Sequence, residues 1–328
     1  MMLLAKSIVS TFGALLALGF SCAAAAQTGG YPSKPVKIIA PFAPGGQVDL
    51  LGRIMGQKLS ELWGQPVVVE NLSGAGGTIG MDRAANAPAD GYTLAMGTSA
   101  TLAIGPSLYA KLPYDPLRDL APVANVALIP WVLVIDANLP ARTIKELIDL
   151  AKSRKDAPSF GSAGSGSLSH LAGELFSSMT GAALLHVPFK GSAPAVNAVL
   201  AGQIDMLFVD VEAIARYAAA GKLRALAATG AARVAALPTV PTMAEAGVDG
   251  YAVESWIGIV VPARTPKDVV AALNAAVVTA LKSPDVRQRF NAMGYVAIGD
   301  TPEQFGATIR AESEKWARVI REAGIKAE

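Results

Sequence analysis

Two glycine-rich segments hold the residues whose types and spacing suit chemistry. The first runs Pro41-Phe42-Ala43-Pro44-Gly45-Gly46, with Asp49 three residues on; the second runs Gly161-Ser162-Ala163-Gly164-Ser165-Gly166-Ser167, followed by His170. Loops of this kind between a strand and a helix aim backbone N–H groups at an anion, and the helix N-terminus adds partial positive charge. Glycines also make tight turns that bind nothing, so either loop alone supports both readings. Two such loops at equivalent places favour a cleft holding a carboxylate or a phosphate between them. Asp49 is placed to cap the helix that follows, which would leave the Gly45 and Gly46 amides to a ligand. Asp210 closes an apolar strand at the end where open α/β sheets bind ligands. It suits a ligand amine or hydroxyl, and equally a structural role.

Other chemistries find little support. Gly74 and Gly76 would need a third glycine at Ile79, and Gly164 and Gly166 one at Ser169, so neither loop is a dinucleotide fingerprint. No Gly-Lys-Ser/Thr ending marks a P-loop. A hydrolase assembled from Ser167, His170 and Asp205 or Asp210 is the main enzymatic alternative, yet no serine has the flanking glycines of a nucleophile elbow. His170, on the opening turn of a helix, is expected to order its loop, and His186 to be structural. Two histidines and a single cysteine, Cys22, leave no metal site in prospect. No cofactor is expected.

These residues need a scaffold, and its grammar is legible. Val36 to Ala40 reads as a strand, Leu50 to Leu62 as a helical face, Pro66 to Glu70 as strand, Gly77 to Asn86 as helix and Tyr92 to Met96 as strand. A second block repeats this alternation, from a capping box at Thr143 and Glu146 to a last strand at Leu223 to Ala228. Thr265-Pro266, Ser283-Pro284 and Thr301-Pro302 announce three further helix starts. The reading is α/β, with two lobes of parallel sheet covered by helices. The first lobe comprises residues 27–126 and 237–328, the second residues 127–236, with links near Ala124 to Trp131 and Thr229 to Ala252.

Composition looks at first like that of a membrane protein: 328 residues, 52% hydrophobic, 16% charged, mean hydropathy +0.39. The apolar N-terminus after Lys6, ending in Ala23 to Ala26, instead reads as a signal peptide over residues 1–26, and the remaining apolar runs are broken by proline and small polar residues. Removing Lys6 takes the formal charge from +2 to +1, with no basic cluster for nucleic acid. Cys22 leaves with the signal peptide, the alternative being a lipidated N-terminus. A soluble periplasmic protein without disulfides is expected.

The motifs together resemble the Bug-type periplasmic receptors of tripartite tricarboxylate transporters. The likeness rests on Pro41 to Gly46 with Asp49, Glu70-Asn71 with Gly74-Ala75-Gly76-Gly77, Tyr114-Asp115-Pro116, Gly161-Ser162 through His170 to Glu174, His186 to Gly191, and Gly221 to Ala227. It implies a type II periplasmic-binding-protein-like flytrap of two mainly parallel sheets, a monomer without enzymatic activity. Such a receptor takes a small organic carboxylate (a di- or tricarboxylate, an acidic amino acid or an aromatic acid) to membrane permease subunits. Receptors of this shape can also feed a sensor. Carried over, Ala43, Gly45, Gly46 and Asp49 would grip the carboxylate from one lobe and Ser162, Ser165, Gly166, Ser167 and His170 from the other. Thr98 and Ser99 would form the wall, with Asp210 nearby. Val48 stands where such proteins often carry a hydroxyl, and Leu102 and Gly105 where they carry histidine and asparagine. Those departures imply a ligand with an apolar body.

Overall fold

A computed structural model describes residues 31–326. The signal peptide expected over residues 1–26, with Cys22, lies outside the described residues. In chain order the elements are β1 (Val36–Ala40), α1 (Gln47–Trp63), β2 (Val67–Asn71), α2 (Thr78–Ala85), β3 (Thr93–Thr98), α3 (Gly105–Leu108) and β4 (Leu120–Ile129). Next come β5 (Trp131–Asp136), α4 (Ile144–Ser153), β6 (Ser159–Ser162), α5 (Leu168–Thr180), β7 (Leu185–Pro188), α6 (Ser192–Leu200), β8 (Met206–Asp210), α7 (Val211–Ala219) and β9 (Leu223–Ala228). The chain ends with β10 (Ser255–Pro262), α8 (Lys267–Lys282), α9 (Pro284–Ala292), β11 (Val296–Ala297) and α10 (Pro302–Glu322).

Two sheets result, one of six strands in the order β11-β4-β10-β3-β1-β2 and one of five in the order β7-β6-β8-β5-β9. They are mixed rather than mainly parallel: four of the nine pairings are parallel and five antiparallel. The reason is connectivity. The βαβ units β1-α1-β2 and β6-α5-β7 are parallel, because a helix returns the chain to the same end. β4 and β5 instead carry the chain from one sheet to the other with only Pro130 between them, and β10 brings it back, so these strands run against their neighbours. Pro122 sits in β4 without harm, since β11 covers only Ala127 and Leu128 on that side and leaves the proline on an open edge.

Core side chains explain the helical faces. α1 buries Leu51, Met55 and Leu59 on the first sheet, and α5 buries Leu171, Leu175 and Phe176 on the second. α5 lies so close to β6 that a Cβ at Gly173 would come within 2.2 Å of the Phe160 ring. One apolar cluster runs through both lobes, joining Phe160, Phe176 and Phe208 to Trp256, Phe305 and Trp316. Tyr251 stands between, its hydroxyl donating to the Ala172 carbonyl at 2.8 Å. Each such side chain, fully buried, contributes about 1.5–3 kcal/mol. A second cluster under α6 and α7, including Val199, Leu207 and Ile214, belongs to the second sheet. Among the described residues no single helix is long and apolar enough to cross a membrane; α8 and α9 pass only as a pair bent by 68°.

Candidate functional site

The loop after β1 is organised by Asp49. Gly46 is the N-cap of α1 and makes Asp49 the third helical residue, so its carboxylate reaches back to the loop instead of capping the helix. It accepts from the Gly45 N–H at 2.9 Å, from Asn71 Nδ2 at 2.9 Å and from Arg53 Nε at 3.1 Å. Asn71 also donates to the Phe42 carbonyl, so β2 ties the loop down as well. Burial, at 4% exposure, would raise the Asp49 pKa; the bonds from Arg53, Gly45 and Asn71 outweigh it and hold the group below the ordinary carboxylate value. This corrects the expectation that both glycine amides stay open. Gly45 is taken, while the Gly46 N–H has no acceptor among the described residues, and α1 starts without a side-chain cap. Ala43 is exposed on the same loop.

The loop after β6 satisfies itself. Ser162, wholly buried, shares a hydrogen bond of 2.6 Å with His186 Nε2 and accepts from the Gly164 N–H. The Ala163 N–H donates to Ser169 Oγ at 2.9 Å, and the Gly166 N–H to His170 Nδ1 at 3.0 Å. Ser167 caps α5 and donates from Oγ to the Gly164 carbonyl at 2.6 Å. The two imidazoles stack with centroids 3.7 Å apart, and His186 is pushed down to about 4, first by burial and then by the charge of His170. Gly166 is left-handed (φ +75°), and a Cβ there would meet Leu108 of α3 at 2.6 Å, so the loop is packed against the other lobe. Ser162 has no exposed surface from which to attack a substrate. Thr98 is likewise engaged: its hydroxyl accepts from the Thr101 N–H at 3.2 Å, next to buried Ser99.

A cavity of about 820 Å³ opens where the lobes face each other. Gly45, Gly46 and Gln47 line one side; Ser192 and Ala193 at the start of α6, with Asp210 and Arg216, line the other. The N-cap of α6 is Gly191, again without a side-chain bond. Two glycine-led helix N-termini, one from each lobe, therefore face the same space. Asp210 caps α7 by accepting from the Ala213 N–H at 3.0 Å; burial pushes its pKa up, and the charge of Glu212 adds to the rise. Of the residues expected at a site, Gly45, Gly46 and Asp210 meet here. Asp49 stands behind the loop, and Ala43, Thr98, Ser99, Ser162, Ser165, Gly166, Ser167 and His170 lie outside the cavity lining. Cavities of about 460 and 640 Å³ on the first lobe touch no residue of the second. Among the described residues no cluster of three or more His, Cys, Asp or Glu side chains is arranged to hold a metal.

A sequence profile described as "Tripartite tricarboxylate transporter family receptor" matches residues 51–325. The chain belongs to this receptor family. It is 40% identical over 297 residues to protein BugT of Bordetella pertussis, covering 90% of this chain and 91% of the relative. Among solved structures, Rpa4515 of R. palustris with adipate is 35% identical at a TM-score of 0.76, covering 90% of this chain and 99% of that one. MatC from Rhodopseudomonas palustris with bound malate is 32% identical at 0.72, covering 88% of this chain and all (100%) of that one. These family receptors share the two-lobed, periplasmic-binding-protein-like α/β fold, and they are solute-binding proteins rather than enzymes.

Sequence reasoning missed Gly191, Ser192, Ala193 and Arg216. A signal for the first three was present: Gly191 precedes a helix as Gly46 does. Proline favours the first helical position, so Pro194 invites a helix start there; it is instead the third helical residue, and that shift of two hides the glycine cap.

Proposed function

We propose that this receptor is exported to the periplasm, where its lobes close on a small organic carboxylate held by the first-turn amides of α1 and α6, and that it passes the ligand to a membrane permease. The observation that carries this reading is the pair of glycine-led, uncapped helix N-termini opening into one cavity from opposite lobes. A helix N-terminus stabilises an anion by about 0.3–1 kcal/mol, up to about 2 in partly buried sites. Charge-assisted hydrogen bonds from the free amides add to this. In the proposed assignment the first lobe, expected over residues 27–126 and 237–328, extends to the end of β4 at Ile129, and the second begins at β5, with the return crossing between β9 and β10. Asp210 accepts a hydrogen bond from a ligand hydroxyl or amine, and Trp131, Ala193 and Val196 on the cavity wall suit an apolar body. The bound adipate and malate of the two solved relatives support the ligand class.

The test is a thermal-shift panel of mono-, di- and tricarboxylates, acidic amino acids and aromatic acids. A ligand at a hundredfold excess over its dissociation constant stabilises the folded state by about 2.7 kcal/mol, enough to raise Tm by several degrees. A panel without any shift overturns the proposal. Uptake of the binding acid by cells carrying the cognate permease, lost when the receptor is deleted, tests delivery.

A further inference from the structure

Glu212 and Arg216 sit four residues apart on α7, the spacing at which helical ion pairs form. They do not pair. Glu212 Oε2 accepts a hydrogen bond of 2.9 Å from the Tyr295 hydroxyl, which belongs to the segment between α9 and β11 in the other lobe. Arg216 lies over the ring of Tyr217, 4.6 Å from its centroid, and donates to the Tyr217 hydroxyl at 2.6 Å. No carboxylate of the described residues comes within the 4.0 Å of an ion pair with it. Glu212 and Arg216 both line the cavity, and Arg216 is the cation of that lining. Asp210, the remaining acid there, is mostly buried and accepts from the Ala213 amide. The guanidinium is thus a charge on the cavity wall that no carboxylate of the described residues answers, its contacts being the ring and hydroxyl of Tyr217.

We propose that Arg216 binds a second carboxylate of the ligand, so that the cavity selects a diacid, and that Tyr295 is a positioning residue that draws Glu212 away from Arg216 when the lobes close. This rests on the carboxylate reading above. One carboxylate sits at the amides of α1 and α6 and the other at the α7 guanidinium, whose planar donors suit a carboxylate. When the lobes part, Tyr295 leaves with its own lobe, and Glu212 falls back on Arg216 at its helical spacing. Closure and the release of Arg216 are then the same event.

Calorimetric titration of the full chain with succinate, adipate and suberate, against butyrate, hexanoate and octanoate, tests this. The best diacid binds at least about tenfold more tightly than the monoacid of its length, as expected for a charge-assisted contact. Arg216→Gln removes that preference, weakening the diacid at least about tenfold more than the monoacid of its length. Tyr295→Phe weakens diacid binding severalfold, with no change for the monoacid, and adding Glu212→Gln to it restores diacid binding. A preference that survives Arg216→Gln, or a monoacid bound as tightly as its diacid, overturns the assignment of Arg216. Failure of Glu212→Gln to rescue Tyr295→Phe overturns the role of Tyr295. If the wild-type chain binds none of the six acids while another carboxylate shifts its Tm, the diacid inference alone falls; if no carboxylate does, the carboxylate reading falls with it.

Discussion

The two glycine-rich loops differ in where their amides go. In the loop after β1 a single acid, Asp49, takes the Gly45 N–H and leaves that of Gly46 open beside the cavity. In the loop after β6 the amides of Ala163, Gly164 and Gly166 are answered by Ser169, Ser162 and His170 of the same segment. What separates a binding loop from a structural one is therefore not its glycines but the side chains within reach of them. Serine and histidine near a loop are acceptors that consume its donors; alanine and proline, as in Pro41 to Pro44, consume none.

That contrast can be broken in order of effect. Gly166→Ala introduces a left-handed alanine, at about 1–2 kcal/mol, and pushes a methyl into Leu108, at about 1–3 kcal/mol. The expected loss is about 3 kcal/mol of stability, read by denaturant unfolding; a loss of ligand affinity at unchanged stability would make this a binding loop after all. Gly46→Phe should behave in the opposite way. Gly46 has φ −80°, and a Cβ there touches only the Ala43 carbonyl at 3.6 Å, so the backbone tolerates a side chain that blocks the mouth of the cavity. Affinity for the carboxylate found by thermal shift should fall about a hundredfold, equivalent to two charge-assisted bonds of about 1.5 kcal/mol each, with Tm of the free protein unchanged. Normal binding by this variant would move the anion site elsewhere.

The smallest effect concerns pH. The pKa of His186 is depressed from 6.5 to about 4 in the fold, so as pH falls the unfolded chain takes up the proton first. This contribution to stability is complete above about pH 6.5 and is lost progressively towards pH 4. A His186→Asn variant has no such group, so its Tm deficit against the wild type should narrow between pH 7 and pH 4.5. A constant deficit would show that burial of the His186 imidazole does not set its protonation.

Much of the scaffold was legible because periodicity and turn residues act locally. β9 begins and ends where the short apolar run after Gly221-Lys222 places it, at Leu223 and Ala228. Three identical Ser/Thr-Pro signals, however, had three outcomes. Thr301 forms a reciprocal capping box with Gln304. Ser283 turns its hydroxyl back to the Ala280 carbonyl of the preceding helix. Thr265 is displaced by one residue, Pro266 becoming the cap, and its hydroxyl has no partner among the described residues. The mixed sheets and the cavity were not legible, because strand direction and the meeting of α1, α6 and α7 depend on contacts between residues far apart in the chain. Arg216 in particular has no local mark: an exposed arginine on a helix acquires meaning only once Tyr295 is seen to hold its neighbour.

The apolar cluster that runs through Tyr251 into both sheets carries a consequence for how the protein fails. Loosening either lobe uncovers side chains that the other depends on, so the described chain is expected to come apart as one cooperative unit, not lobe by lobe. A solute gripped by both halves would then slow cleavage at the peptide bonds that only global unfolding exposes, including those it never touches. The filled receptor would therefore outlast the empty one.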